Sequence, residues 1–279
     1  QNAETGIITV VKAFADAPAA KAGVKNGDII YKVKGKEVTG VDINNVVTEM
    51  KGEKGTTVDI TVYRESEKKY IDFTITRDQV NEPTVEYKML DKKKKIGYIQ
   101  ISQFEEVTYD QFTKALDDLK KQGMKAVIFD VRSNPGGLYE TVCKMLDEIL
   151  PEGNLVSTKD KYGNEEKQTS DSKCLEMPMV VLQNKDSASA SEIFAGAIQD
   201  FNAGKIVGTQ SFGKGIVQTI LPLSDGSAVK LTVQDYYTPS GKNIHGKGIT
   251  PDVEAELEEN ATSDTQLEKA KETIMELMK

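Results

Sequence analysis

The sequence is poor in the residues that build metal sites and disulfide frameworks. It has two cysteines, one histidine and no tryptophan in 279 residues. Two cysteines are too few for a disulfide scaffold, and Cys143, among apolar neighbours in a helical pattern, is predicted to be a small core residue. The single histidine and the absence of Cys-x-x-Cys and His-Glu-x-x-His patterns argue against a zinc site. The sequence predicts neither a metal nor a cofactor.

An excess of positive charge and long apolar runs are also missing. The 36 lysines and arginines stand against 44 acidic residues, which gives a formal net charge of -8. This balance argues against nucleic-acid binding, because a clustered basic face would be expected for it. No apolar run approaches the roughly 18 residues of a membrane span. The chain begins with glutamine, so we expect residues upstream of it, where a signal or anchor could lie.

The first 78 residues have short patterns that are typical of β-strands. β-branched or alternating runs at residues 6–11, 28–33, 57–63 and 70–75 predict four strands. Apolar residues at helical spacing predict one helix over residues 43–50, which Lys51 and Gly52 end. Residues 78–95 are polar and form a plausible junction. We therefore expect a small, mostly β domain at residues 1–78.

From residue 79 to residue 279 the patterns lengthen and alternate. Strands are predicted at residues 96–101, 126–131 and 178–182. Helical stripes occupy residues 109–119, 138–150 and 264–279. Strands that alternate with helices indicate a parallel α/β sheet, here followed by a C-terminal helix.

A lysine between two glycines, Lys214, could be mistaken for the lysine of a phosphate-binding loop. A phosphate-binding loop needs serine or threonine after the lysine and a helix that faces the phosphates. Gly215 follows Lys214 here, and residues 216–220 are strand formers. These features argue against nucleotide binding.

Three serines alternate with alanines between a buried strand and the start of a helix, at residues 187–192. Ser189 could be a nucleophile displayed beside a helix N-terminus. It could equally be a helix cap, because Ser189 and Glu192 fit the capping box. Residues 130–138 form a strand, a turn with two glycines and a helix start. Backbone N–H groups of such a turn could form half of an oxyanion hole.

Four segments in one order resemble the carboxyl-terminal processing peptidases, also called tail-specific serine proteases. The segments are DxRxNPGG at residues 130–137, SASASE at 187–192, FGKGxxQ at 212–218 and YxTPSGxxIxGxGIxPD at 237–252. Residues 17–28, with the surrounding strands, resemble the PDZ domain of bacterial proteases. The resemblance covers nearly the whole chain. It implies an N-terminally truncated PDZ domain followed by an α/β protease core with a crotonase/ClpP-like sheet.

The resemblance implies a serine endopeptidase with a Ser-Lys(-Gln) site. Ser189 would be the nucleophile, Lys214 the general base and Gln218 the residue that orients the lysine. The backbone N–H groups of Ala190 and of Gly137, or else Gly136, would form the oxyanion hole.

A lysine can act as a general base only if its amine is uncharged. Free lysine has a pKa of about 10.4, so only about one molecule in two thousand is uncharged at neutral pH. Burial away from carboxylates favours the uncharged amine, and residues 211–217 contain no acid. The sequence therefore predicts a lysine enclosed away from solvent. A Ser-His-Asp triad would need His245, which lies in a polar loop and is expected at the surface.

The resemblance also implies the partners and the location. Substrates would be proteins bound by their C-termini, which PDZ domains add as a strand to a sheet edge. The protein would act outside the cytoplasmic membrane, in the periplasm, at the cell surface or secreted. The loop that clasps the peptide carboxylate in this family is expected upstream of Gly6. Whether the chain forms a homo-oligomer is left open. The alternative function is a latent protease that acts as a PDZ peptide-binding module.

Overall fold

The computed structural model describes residues 1–14, 17–80, 82–258, 261 and 263–279. Two compact units divide the chain, Gln1–Glu82 and Pro83–Lys279. None of the helices in these ranges is long and apolar enough to cross a bilayer.

The N-terminal unit is an antiparallel sheet with two helices. Its elements are β1 (Ile8–Thr9), α1 (Pro18–Ala22), β2 (Ile29–Val33), β3 (Lys36–Glu37), α2 (Ile43–Met50), β4 (Thr57–Arg64) and β5 (Lys69–Thr76). The strands are ordered β1-β2-β4-β5, with β3 paired to β2. Helix α2 has the predicted bounds. The first strand is shorter than predicted, and α1 was not predicted because its five residues include no buried one and so show no apolar stripe.

A buried ion pair stabilises the turn that leads into β2. The Arg64 guanidinium donates from Nε to Asp28 Oδ1 and from Nη2 to Asp28 Oδ2, both at 2.7 Å. These hydrogen bonds lower the pKa of Asp28 in spite of its burial. The sequence motif around Gly27 and Asp28 therefore has a structural role: its carboxylate anchors the turn to β4.

The C-terminal unit contains the predicted α/β sheet. In chain order its elements begin with β6 (Val85–Asp91), β7 (Ile96–Ile101), α3 (Thr108–Lys121), β8 (Ala126–Asp130) and α4 (Tyr139–Asp147). They continue with β9 (Gly153–Asp160), β10 (Glu165–Ser170), β11 (Met179–Gln183), α5 (Ala190–Asp200) and β12 (Gly204–Gly208). The last are β13 (Ile216–Pro222), β14 (Ala228–Tyr237), β15 (Val253–Glu254) and α6 (Thr265–Leu277).

The main sheet has six strands in the order β15-β12-β11-β8-β7-β6. All its pairings are parallel except β6 with β7. Alternate side chains of the central strands point to opposite faces. Phe129 packs in the cluster that holds α3, α4 and α5, whereas Ile128 packs with Ala270 and Ile274 of α6. The prediction of an α/β fold with a C-terminal helix is confirmed.

A second sheet was not predicted. It is antiparallel, in the order β10-β9-β14-β13. Strand β10 is Glu-Glu-Lys-Gln-Thr-Ser, with five of its six residues exposed, so it lacks the apolar alternation that predicts a strand. This sheet matters to function because it holds the segment that follows Lys214.

Candidate active site

Three serines lie at the start of helix α5, and two of them have structural hydrogen bonds. The Ser187 hydroxyl donates to the Val131 carbonyl oxygen at 2.7 Å, and the Ser191 hydroxyl donates to the Asn134 carbonyl oxygen at 2.9 Å. These bonds join the turn after β11 and the first turn of α5 to the turn after β8. Ser189 instead lines a cavity of about 220 Å³. Of the three serines, Ser189 is therefore the one placed to meet a substrate.

The backbone at Ser189 adopts an unusual conformation. Its φ is 55° and its ψ is -114°, a region that L-residues seldom occupy and that functional sites often retain. The turn after β8 presses against it: a Cβ on Gly136 would lie 2.8 Å from Ser189 Cβ and 2.8 Å from the Ala188 oxygen. Only glycine at residue 136 allows this approach.

The buried side chain of Asn134 shapes the two-glycine turn. Its Nδ2 donates to the Ile101 carbonyl oxygen, and its Oδ1 accepts from the Gly136 N–H, both at 2.9 Å. Gly137, at φ 144°, forms an isolated bridge with Phe104, where an added Cβ would meet the Phe104 oxygen at 2.2 Å. The turn is therefore held by the end of β7 and by the loop that follows β7.

The backbone N–H groups at this turn differ in availability. The Gly136 N–H is already bound to Asn134, and Gly136 does not line the cavity. Gly137 and Ala190 do line it, and within the described residues neither of their N–H groups donates a hydrogen bond. A pair of unused N–H groups beside Ser189 can stabilise an oxyanion.

Lys214 reaches the same cavity from a loop before β13. Its flanking glycines are explained by packing: a Cβ on Gly213 would lie 2.9 Å from the Lys247 nitrogen, and one on Gly215 would lie 2.7 Å from the His245 nitrogen. A strand follows the loop, as expected. Lys214 is half-buried here, and its enclosure away from solvent stays a prediction for the substrate-engaged protein. Within the described residues no direct hydrogen bond joins Ser189 Oγ to Lys214 Nζ.

Gln218 lines the cavity as well. The register between β13 and β14 shifts between Val217 and Gln218, so the strand is bulged next to the site. The Gln218 side-chain nitrogen lies 3.4 Å from Thr232 Oγ1 and makes no hydrogen bond to Lys214. The structure thus brings Ser189, Lys214 and Gln218 to one cavity without joining their functional groups.

Glu192 has a larger role than the sequence indicated. Its carboxylate is fully buried and accepts four hydrogen bonds. Oε2 accepts from the N–H of Ser189 at 2.9 Å and of Lys214 at 2.8 Å. Oε1 accepts from the Ser211 hydroxyl at 2.6 Å and from the Gly213 N–H at 2.7 Å. A capping box accounts only for the bond to Ser189.

Tyr236 of β14 was not predicted as a site residue. It is buried, lines the cavity, and its hydroxyl lies 2.6 Å from the Lys214 carbonyl oxygen and 3.1 Å from the Ser189 carbonyl oxygen. A signal for it existed in the sequence. The YxTPSG pattern starts at Tyr236, one residue before the start that was assigned to it.

The other residues of the DxRxNPGG segment form an ion network outside the cavity. The Arg132 guanidinium binds the carboxylate of Asp130, at 2.6 Å, and that of Asp264 at the start of α6, at 2.8 Å. Asp130 also accepts from the Tyr98 hydroxyl at 2.7 Å. This network fastens the end of β8 to the C-terminal helix.

The remaining sequence predictions on site chemistry concern His245 and metals. His245 is exposed in its loop, as expected. Among the described residues no three His, Cys, Asp or Glu side chains group in a way that could hold a metal ion. Cys143 is free and buried. What the cavity combines is a hydroxyl, an amine, an amide and two unused N–H groups, the groups that acyl transfer requires.

Comparisons with known proteins identify the family of the chain. Residues 95–255 match the model of peptidase family S41, and residues 2–75 match that of the PDZ domain. A carboxy-terminal-processing protease of Bartonella bacilliformis is 41% identical over 261 residues, which are 91% of this chain and 59% of that protein. A probable CtpA-like serine protease of Staphylococcus epidermidis is 40% identical over 88% of this chain and 50% of its own.

A solved structure supports the fold. The photosystem II D1 C-terminal processing protease superposes with a TM-score of 0.59 at 31% identity and covers 96% of this chain and 72% of its own. The chain spans between half and three fifths of the length of the two curated relatives named above.

Proposed function

The chain belongs to peptidase family S41 and carries a PDZ domain, and from this premise we propose that it is a serine endopeptidase that cleaves protein substrates near their C-termini. The observation that carries the proposal is the content of one cavity. Ser189, Lys214 and the unused N–H groups of Gly137 and Ala190 all line it.

The proposed reaction is acyl transfer to Ser189. Ser189 Oγ attacks the peptide carbonyl carbon while Lys214 Nζ takes the hydroxyl proton. The N–H groups of Gly137 and Ala190 hydrogen-bond the oxyanion that forms. The leaving amine departs with the proton from Lys214. Water, deprotonated by Lys214 Nζ, then attacks the acyl carbon, and Ser189 Oγ takes that proton from the lysine as the acid product leaves.

The proposal requires an uncharged Lys214 amine at the moment of attack. The side chain is half-buried before substrate binds, so the substrate itself would complete its enclosure by filling the cavity. Gln218, which is neutral, would hold the amine toward Ser189 without restoring its charge.

We propose that the PDZ domain targets or regulates cleavage. An apolar groove of about 520 Å³ lies in the N-terminal unit, with Val10, Phe14, Val47 and Met50 among its lining residues. An extended apolar chain end is the ligand that such a groove would accept. On the resemblance to C-terminal processing proteases, we propose a location outside the cytoplasmic membrane.

A second candidate function is a latent protease that acts as a peptide-binding module. One observation favours it: Ser189 and Lys214 are not hydrogen-bonded to one another, and Lys214 keeps contact with solvent. Peptide affinity without hydrolysis in any condition would support this alternative over the endopeptidase.

The test is cleavage of an unstructured protein by the chain and by Ser189→Ala and Lys214→Ala variants. Each variant is expected to lose at least about a thousandfold in kcat/KM, because nucleophile and base act as a unit. Lys247→Ala is the matched control, since Lys247 is also flanked by glycines but is exposed outside the cavity. Full activity in either test variant would refute the assignment.

A further inference from the structure

Two buried side chains bridge the backbone of Ser189 to that of Lys214. Glu192 Oε2 accepts from both N–H groups, at 2.9 Å and 2.8 Å. The Tyr236 hydroxyl lies against both carbonyl oxygens, at 3.1 Å and 2.6 Å, and shares its one proton between them. The same two residues, which come from different elements, are thus joined once through their donors and once through their acceptors.

Neither bridge is explained by local structure alone. Of the four hydrogen bonds that the Glu192 carboxylate accepts, a capping box needs only the one from the Ser189 N–H. The other three come from the loop that contains Lys214. Tyr236 belongs to β14, and its backbone N–H also holds the loop by donating to the Gly215 oxygen at 3.0 Å. Each of the two side chains therefore contacts the backbone of both Ser189 and Lys214.

The environment keeps the two bridges fixed. Glu192 is 0% exposed and Tyr236 is 1% exposed, so water does not compete for their hydrogen bonds. Burial and the charge of Glu192 raise the pKa of Tyr236 well above its usual value of about 10. The hydroxyl therefore stays a donor throughout the range in which a protease works.

We propose that Glu192 and Tyr236 are positioning residues that set the approach of the Lys214 amine to Ser189 Oγ. The inference rests on the proposed endopeptidase function. A lysine amine is carried on a flexible four-carbon stem, so its reach depends on where its backbone is held. A misplacement of about 1 Å between reacting groups can cost about a hundredfold in rate. Two bridges on the backbone of both reacting residues limit such misplacement.

The test is the second-order rate constant for labelling Ser189 with a fluorophosphonate, which reports activation of the hydroxyl and spans many orders of magnitude. Tyr236→Phe keeps the ring and removes only the bridging hydroxyl. The rate is expected to fall about 10- to 100-fold, with peptide KM and the midpoint of thermal unfolding nearly unchanged. Tyr237→Phe is the matched control, because the neighbouring hydroxyl bridges neither residue, and it is expected to label at the wild-type rate.

A double-mutant cycle separates positioning from general stability. In a Lys214→Ala background, Tyr236→Phe is expected to cause no further loss, because the amine that it positions is gone. A further loss equal to that in the wild-type background would overturn the inference. Glu192→Gln replaces one accepting oxygen by an NH2 group that faces two donors, and it is expected to behave in the same way with a larger loss.

The failures of the two proposals are distinguishable. If the Ser189→Ala or the Lys214→Ala variant is labelled as fast as the wild-type protein, the proposed function fails. If labelling requires both residues but Tyr236→Phe labels at the wild-type rate, only the positioning role fails.

Discussion

The two sides of the candidate site differ in how firmly they are held. On the nucleophile side, buried hydrogen bonds from Ser187, before α5, and from Ser191, in its first turn, hold the turn after β8, and the Asn134 side chain holds that turn internally. On the base side, Glu192 and Tyr236 hold the Lys214 backbone, but the lysine side chain is half-buried, and Gln218 lies at a bulge with one long side-chain contact of 3.4 Å. The hairpin of β13 and β14 that continues from Gln218 is largely exposed.

This difference indicates which half of the site would move on substrate binding. A side chain held by satisfied, buried polar groups is costly to displace, whereas exposed side chains reorient easily. In the proposed reaction, the serine and the N–H groups of Gly137 and Ala190 would therefore be preorganised. The lysine and glutamine are the groups whose approach would complete the site.

The largest effect is expected on the free energy of unfolding, when the ion network at the end of β8 is broken. Arg132→Met leaves the buried Asp130 carboxylate and its partner Asp264 without their cation. Removing one member of a buried pair costs about 3–5 kcal/mol of unfolding free energy. Urea unfolding checks this, with Lys269→Met as control, because its exposed pair with Glu272 contributes at most about 1 kcal/mol. Equal losses in both variants would contradict the comparison.

The same network predicts a pH dependence. Burial works to raise the pKa of Asp264, but the hydrogen bonds and charge of Arg132, together with hydrogen bonds from the backbone N–H groups of Leu267 and Gln266, lower this pKa overall. A carboxyl with a lowered folded-state pKa contributes stability that is present above its unfolded value of about 3.9 and is lost as pH falls through the folded value. The stability difference between wild type and Arg132→Met should therefore be full at pH 7 and shrink below about pH 4. A constant difference down to pH 2 would contradict this.

The next effect concerns the oxyanion turn. Gly137→Ala places a Cβ 2.2 Å from the Phe104 oxygen, so the backbone must shift and carry its N–H away from the cavity. Loss of one oxyanion donor costs about 10²–10³ in kcat. Steady-state cleavage rates check this. Gly163→Ala is the control, because Gly163 also has positive φ but no atom within 4 Å of the new Cβ. An unchanged kcat in Gly137→Ala would contradict the role of the Gly137 N–H as an oxyanion donor.

The smallest effect is expected on the base side. Gln218→Ala removes a side chain that would only orient the amine, so kcat should fall about tenfold, with little change in stability. Thr219→Ala, one residue along the same strand, should leave kcat unchanged. A loss as large as that of Lys214→Ala would mean that Gln218 takes part in the chemistry itself and that the two sides are not as different as described.

The sequence was sufficient for the parts of the fold that have strong periodicity. Helix α2 begins and ends at the predicted residues, and β8 and β11 were found from their apolar runs. The second sheet was missed because β10 is polar and exposed. The sheet also depends on the pairing of β9 with β14, which are far apart in the sequence, and local patterns do not encode such pairing.

The candidate site was likewise predicted where local sequence segments carry the signal, and missed where contacts between distant segments decide. Ser189, Lys214 and Gln218 could be named because they stand in segments whose order is recognisable. Glu192 was read only as a helix cap, since the three bonds that it makes to the lysine loop cross 19 to 22 positions of sequence. The choice between Gly136 and Gly137 also required the structure, because it depends on which N–H group Asn134 occupies.

The protonation of Lys214 in the substrate-engaged protein tests the central claim most directly. Selectively labelled lysine side chains, observed by NMR in Ser189→Ala bound to an uncleaved peptide, report whether this amine carries a proton; Lys214→Ala assigns the signal. The account predicts an uncharged amine over the pH range in which the wild type cleaves. A charged amine throughout that range would contradict it.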